Sequence, residues 1–131
     1  MEGRPMPGQG RDAGQGPEVD LLLFEAGGRR FGAEATRIRR IARRDPDLPA
    51  CATLGGRSDR ALVIRCAGGE SQVVIDRLVG FERAPFGALH AVPAFARALV
   101  PAALQGFRVD ERGEILPLID LEALVKEDAA P

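Results

Sequence analysis

Tryptophan and tyrosine are absent from this 131-residue chain, histidine occurs once and cysteine only twice. Each scarcity removes a class of function. With a single imidazole, and with Cys51 and Cys66 outside any CxxC pair, the usual tetrahedral zinc sets cannot be assembled. Both cysteines therefore read as ordinary thiols, Cys66 in the core. His90 stands between Ala88 and Pro93 with no serine or cysteine nucleophile beside it and no carboxylate at motif spacing. That leaves a surface histidine and no specified reaction, so no enzyme and no cofactor are expected. No run approaches the ~20 apolar residues that cross a bilayer, and no apolar signal-peptide stretch follows Met1. A cytoplasmic protein is expected. A formal net charge of -1 and a pI near 5.9 give no general attraction to nucleic acid or anionic lipid.

The chain is rich in glycine and aliphatic residues, and their order is informative. Residues 1–17 are mostly Gly, Pro, Gln and isolated charges, with too little apolar surface to offset the entropy of ordering a backbone; a disordered arm is expected there. From Val19 the pattern becomes apolar strand, Gly27-Gly28, then a second strand from Arg29 to Ala33. The same grammar recurs in Ala61–Cys66, Gly68-Gly69 and Gln72–Leu78. It recurs once more in Phe107–Val109 and Ile115–Ile119 around the turn Asp110-Glu111-Arg112-Gly113, with Pro117 pointing to an edge or a bulge. Three hairpins in so short a chain predict an all-β fold, mainly strands with short helices, built as small barrels.

Between the first two hairpins, Ala35, Ile38, Ile41 and Ala42 recur at helical spacing from Glu34 to Arg44, with Arg37, Arg39, Arg40, Arg43 and Arg44 elsewhere. This predicts a short amphipathic helix. Its arginines suit a solvated face or an acidic partner. A rival reading makes the chain a small nucleic-acid-binding barrel that grips phosphates through Arg37–Arg44, against which the acidic pI and the lack of aromatics for base stacking both count. Asp120 is placed to cap a last helix that turns Leu121, Leu124 and Val125 inward, and Pro93 to start a short one ending near Leu99. Asp76, Asp110 and Asp120 sit at strand ends or turns, where carboxylates commonly accept backbone N–H bonds, so they are not read as a catalytic set.

Two blocks, Leu22 to Ile41 and Ala61 to Val125, resemble the CheW-like coupling proteins of bacterial chemosensory arrays. The first is similar to that family's opening hairpin and the Val-x-x-Ile element after it, filled here by Ile38 and Ile41. The second is similar at Val74-Ile-Asp-Arg-Leu-Val-Gly80 and at Gly113-Glu-Ile-Leu-Pro-Leu-Ile-Asp-Leu121. One departure stands out: the family's Gly-Val-Ile-Asn-Leu-Arg-Gly hairpin and the strand after it have no counterpart between Pro46 and Ala61.

The resemblance implies two small SH3-like β-barrel subdomains facing each other across a groove, the first one truncated. The expected boundaries are 18–58 and 59–127, with 128–131 as a tail. It further implies a non-catalytic adaptor of chemotaxis or motility signalling, in cytoplasmic chemosensory clusters, that holds the tip of a methyl-accepting chemoreceptor in the groove. Ile38 and Ile41, rimmed by Arg37 and Arg40, are the first candidates for that contact, and Arg77, Val79 and Phe81 the second. Contact with a CheA-type histidine kinase or with full-length CheW-like proteins is expected to be weak, because the missing strands belong to the surface that docks the kinase. Neither nucleic acid nor membrane insertion is expected.

Overall fold

In the computed structural model, residues 16–129 are described, so most of the expected arm, residues 1–15, lies outside the described residues. The strands are β1 (Glu18–Ala26), β2 (Arg29–Glu34), β3 (Ile38–Arg43), β4 (Ala50–Cys51), β5 (Arg60–Cys66), β6 (Gly69–Ile75), β7 (Arg77–Pro85), β8 (Leu89–Ala91), β9 (Leu104–Val109) and β10 (Ile115–Ile119), followed by helix α1 (Leu121–Ala129). They form a six-stranded sheet in the order β7-β1-β2-β10-β9-β8 and a four-stranded sheet in the order β3-β5-β6-β4. The all-β expectation holds.

Strand β1 joins the two halves of the core because it is buried on both faces. Leu22, Phe24 and Ala26 alternate toward one cluster, where they meet Leu62 and Ile64 of β5, Val73 and Ile75 of β6, and Leu121 and Leu124 of α1. Leu21 and Leu23 point the other way, into a smaller cluster with Ala84, Leu116 and Leu118. The first cluster glues the sheets together; the second lies within the six-stranded sheet, which curls around it. Curling follows from connectivity. Strands β7 and β8 are the two ends of that sheet, yet only the 3-10 turn Phe86–Ala88 separates them, a reach of roughly 14 Å at most. Arg108 of β9, largely buried, donates from its guanidinium to Glu82 of β7 at 3.0 Å and draws the two ends toward each other.

The first turn needs glycine for two reasons. Gly27 and Gly28 both have positive φ, at 61° and 81°, and a Cβ on Gly27 would stand 2.5 Å from the carbonyl oxygen of Leu54. The loop from Ala52 to Ser58 therefore packs directly on this turn. Asp76 locks the arrangement: its carboxylate accepts from the backbone N–H of Gly27 at 2.9 Å, Arg57 at 2.6 Å and Ser58 at 3.2 Å.

Several expectations need correction. Glu34–Arg44 is not a helix: Ala35–Arg37 forms a 3-10 turn, and Ile38–Arg43 is strand β3. Its pairing with β5 runs Ile38 to Ile64 and then Arg40 to Val63, so Arg39 is an extra residue, a bulge. One inserted residue restores Ile38 and Ile41 to the same face, where a regular strand would have set them on opposite faces. The Gln72–Leu78 run is broken at Asp76 into β6 and β7. Pro117 lies in β10, between β2 and β9 rather than at an edge, but β10 pairs with β2 only at Leu118 and Gly32, and a register irregularity follows at Leu118/Ile119. Cys51 is the buried thiol, whereas Cys66 is half-buried.

The division at 58/59 does not follow the sheets. The β1–β2 hairpin pairs with β7 and β10, so the N-terminal segment contributes to both halves. Residues 44–59, where the family hairpin was missed, carry only the two-residue strand β4, parallel to β6. Pro17, expected in the arm, accepts a backbone hydrogen bond from Phe86 at 3.1 Å, and α1 continues through Ala129 into the expected tail. Asp120 caps that helix as expected, accepting from the Ala123 N–H at 3.1 Å.

Candidate functional site

Strand β3 ends one sheet and β7 ends the other, and the two edges flank a common cleft. Ile38, Ile41 and Arg40 line it from β3, Phe81 from β7, with Leu22 and Ala35 between them; its volume is about 160 Å³. Phe81 lies opposite Leu22 in the β1–β7 register, so its ring stands over a fully buried leucine while remaining 68% exposed. The ring and the isoleucines beside it leave an apolar strip open to solvent between the two sheet edges. The cleft continues along β7 into a wider depression that shares Ala35 and Phe81 and adds Asp20, Glu82 and Arg83.

Ile38 and Ile41 are half-buried and also pack against the main core. They serve as floor and as core at once. The rim is charged but largely matched. Arg40 donates to Glu70 at 3.1 Å, Arg83 to Asp20 at 3.1 Å, and Arg43, further along β3, to Asp59 at 2.9 Å. The hydrogen bond from Arg40, and its positive charge, hold the Glu70 carboxyl below the ordinary carboxylate range. Arginines already facing carboxylates in this way are poorly disposed to grip phosphates.

The seven candidates are thus partly assembled. Ile38, Ile41, Arg40 and Phe81 meet in the cleft. Arg37 does not line it and faces Glu34 at 3.9 Å. Arg77, paired with Glu25 in the β1–β7 register, donates to that carboxylate at 2.9 Å, and Arg30 approaches the same oxygen at 3.1 Å. These contacts, Arg77 foremost, depress the Glu25 pKa and raise that of Arg77, which makes Arg77 part of a surface ion-pair cluster. Val79 is the unpaired residue at the irregularity where Gly80 pairs with Leu23 and Leu78 with Phe24. Leu22 and Ala35, which complete the cleft, carry no signal in the sequence that distinguishes them from core residues.

Chemistry has little to work with here. Among the described residues no three His, Cys, Asp or Glu side chains cluster as a metal site, and no helix is long and apolar enough to cross a membrane. His90 is exposed on the short strand β8. Asp110 accepts backbone bonds from Arg112 and Glu114, both at 2.9 Å, as a turn carboxylate does.

No family model matches the chain. Among curated proteins it is similar to the frizzy aggregation protein FrzB of Myxococcus xanthus, 33% identical over 105 residues that span 79% of this chain and 91% of FrzB. Among solved structures it is similar to the scaffolding protein CheW of Thermoanaerobacter tengcongensis, with a TM-score of 0.62 at 12% identity over 82% of this chain and 92% of that one. The second likeness is one of fold; the first extends over nearly the whole of a relative. With a curled six-stranded sheet packed on a smaller one, and an apolar cleft where their edges meet, the chain belongs to the CheW-like scaffold proteins of chemosensory systems, in the form represented by FrzB.

Proposed function

We propose that the protein is a non-catalytic adaptor that holds the signalling tip of a methyl-accepting chemoreceptor in the cleft between β3 and β7, in cytoplasmic chemosensory clusters. The observation that carries this reading is Phe81, 68% exposed above the apolar floor of Ile38, Ile41 and Leu22. Covering such a ring removes apolar surface from water, and the Arg40 and Arg83 rim supplies steering and register rather than bulk affinity. Arg37, Arg77 and Val79 take no part in the floor; Arg77 adjoins it along β7. Coupling to a CheA-type kinase is weak or absent in this reading, and so is contact with full-length CheW-like proteins. The support is that the segment between β3 and β5 retains only two strand residues where the family carries a hairpin and a further strand.

The test is direct binding of the full chain to a receptor signalling tip and, separately, to the kinase regulatory domain. Phe81→Asp is the decisive variant, because an exposed ring can be replaced without opening the core, whereas Ile41→Asp also strains the fold. Phe81→Asp should keep the wild-type circular dichroism and lose at least about tenfold in receptor affinity, the cost of setting a carboxylate against an apolar partner. Undiminished tip binding by folded Phe81→Asp refutes the cleft, and tight kinase binding by the wild type refutes the proposed loss of coupling.

A further inference from the structure

A recess opens against the smaller core cluster of the curled six-stranded sheet, and it shares no residue with the cleft. Its volume is about 370 Å³, at the lower end of sites that hold whole small ligands. Leu21 and Leu118, both buried, form the floor, and Val19, Leu89 and Phe86 the apolar walls. Two backbone features shape it. A Cβ on Gly106 would run into the carbonyl oxygen of His90, so β8 bends over the end of the sheet at a position that only glycine can fill. In the β9–β10 ladder Gly106 pairs with Leu118 and Leu104 with Ile119, which leaves Gln105 between them without a partner. Such a bulge re-aims a side chain, and Gln105 joins the lining.

The lining also holds an acid that the fold leaves unused. On neighbouring strands Asp20, Glu25 and Glu82 each accept a hydrogen bond from an arginine. Glu34, at the end of β2, is half-buried and does not cap the 3-10 turn that follows it. Its one cationic neighbour among the described residues, the Nε of Arg37, stands 3.9 Å away, beyond hydrogen-bond range. Glu34 and Gln105 lie side by side, since both also border the notch next to Asp120 and Leu121. The recess is therefore polar at this corner and apolar along Val19, Phe86 and Leu89. His90 is exposed on the rim.

We propose that the recess binds a small amphipathic cation, an amine or guanidine on an apolar body, with its charged head on Glu34 and its body over Leu21, Leu89 and Leu118. With histidine neutral, Glu34 is the one formal charge in the lining, so a cationic head is matched and an anionic one repelled. A charge-assisted hydrogen bond is roughly twice as strong as a neutral one, and apolar walls that exclude water strengthen it further. The Gln105 amide oxygen, beside Glu34, is a second acceptor for the several N–H donors of such a head. The space exceeds what a single lysine stem fills, which favours a free ligand over a side chain presented by another protein.

Methyl NMR of the full chain with labelled Leu and Val, titrated with n-hexylamine, 1-hexanol and hexanoate, tests this. Hexylamine should shift the Leu89 and Leu118 methyl resonances with a Kd of about 1 mM, as suits so small a ligand. Hexanol should bind about tenfold more weakly and hexanoate more weakly still. Glu34→Gln should bring hexylamine to the hexanol level and leave hexanol unchanged. Ala91→Phe, at an exposed position in the lining, should block both with an unchanged melting temperature. Phe81→Asp should bind hexylamine like the wild type, which keeps this result separate from the fate of the cleft. Equal affinity for the three probes overturns the proposal, as does hexylamine binding that survives Glu34→Gln or Ala91→Phe. Shifts absent at about 20 mM hexylamine, well above the expected Kd, overturn it too. Lysine amide with a blocked α-amine, binding as tightly as hexylamine, would assign the recess to a lysine of another protein and overturn the free ligand.

Discussion

Gln72 offers the sharpest test of how the shortened segment between β3 and β5 is held. Its side chain is fully buried, and its three hydrogen bonds all go to that segment. The Nε2 donates to the carbonyl oxygens of Asp45 at 2.5 Å and Leu48 at 3.1 Å, while Oε1 accepts from the Asp45 N–H at 2.9 Å. Gln72→Leu keeps the volume and removes all three bonds. A net loss of ~1 kcal/mol per bond, with up to ~1–3 kcal/mol for each group left dry, sets a wide upper range. Asp45 and Leu48 are only half-buried, so the freed backbone groups can reach water as the segment swings out. The expected cost is therefore about 2–4 kcal/mol, or a fall of roughly 8–16 °C in melting temperature for a domain of this size. Gln72→Glu is a sharper probe, because a buried carboxylate would face two carbonyl oxygens. Protonation relieves that repulsion, so its folded-state pKa lies above the ordinary Glu value. Relative to the wild type it should be least destabilised below about pH 4 and most destabilised at neutral pH. Thermal melts monitored by circular dichroism at both pH values supply the readout. A Gln72→Leu variant within about 0.5 kcal/mol of wild type would show that the segment is not held by this side chain.

Three further outcomes are expected. Ile75→Ala, at a fully buried position at the end of β6, should cost about 2–5 kcal/mol in denaturant melts, and a near-neutral result would place that face of the sheet in solvent. Asp76 has its pKa depressed by backbone bonds from Arg57 first, then Gly27 and Ser58, so its stabilising contribution is present above its unfolded value of about 3.8 and is lost as pH falls through the lower folded value. Asp76→Asn should accordingly flatten the acid limb of the stability profile below about pH 4, and an unchanged limb would contradict the assignment. Arg40→Glu should reduce receptor-tip association mainly through the on-rate and mainly at low salt, so a loss that is insensitive to ionic strength in stopped-flow binding would mean that Arg40 belongs to the buried contact.

Hairpins were legible because their information is local. Gly27-Gly28 and Gly68-Gly69 sit between apolar runs, and a hairpin forms at each, although the run after the second turn starts at Gly69 and breaks at Asp76. The turn carboxylates Asp110 and Asp120 were legible for the same reason, since their partners lie within four residues. Strand β3 was misread because its bulge at Arg39 turns a three-residue spacing of isoleucines into a one-sided strand, and that spacing is also a helical one. No local signal separates the two. The choice rests on β5, whose Ile64, Val63 and Leu62 offer a ladder to pair with.

For the candidate cleft the division runs along the same physical line. Composition and alternation alone determined a small β-rich chain with hairpins at glycine turns, and it was the resemblance to the CheW-like family that singled out Ile38, Ile41 and Phe81 among its apolar residues. Only the tertiary structure decided that the β1–β2 hairpin joins β7 and β10 rather than β3, that β3 and β7 become the sheet edges facing each other, and that Phe81 stands over Leu22, 59 residues away. Pairing between distant strands depends on which edges remain open once the core has closed, and no stretch of sequence carries that information by itself.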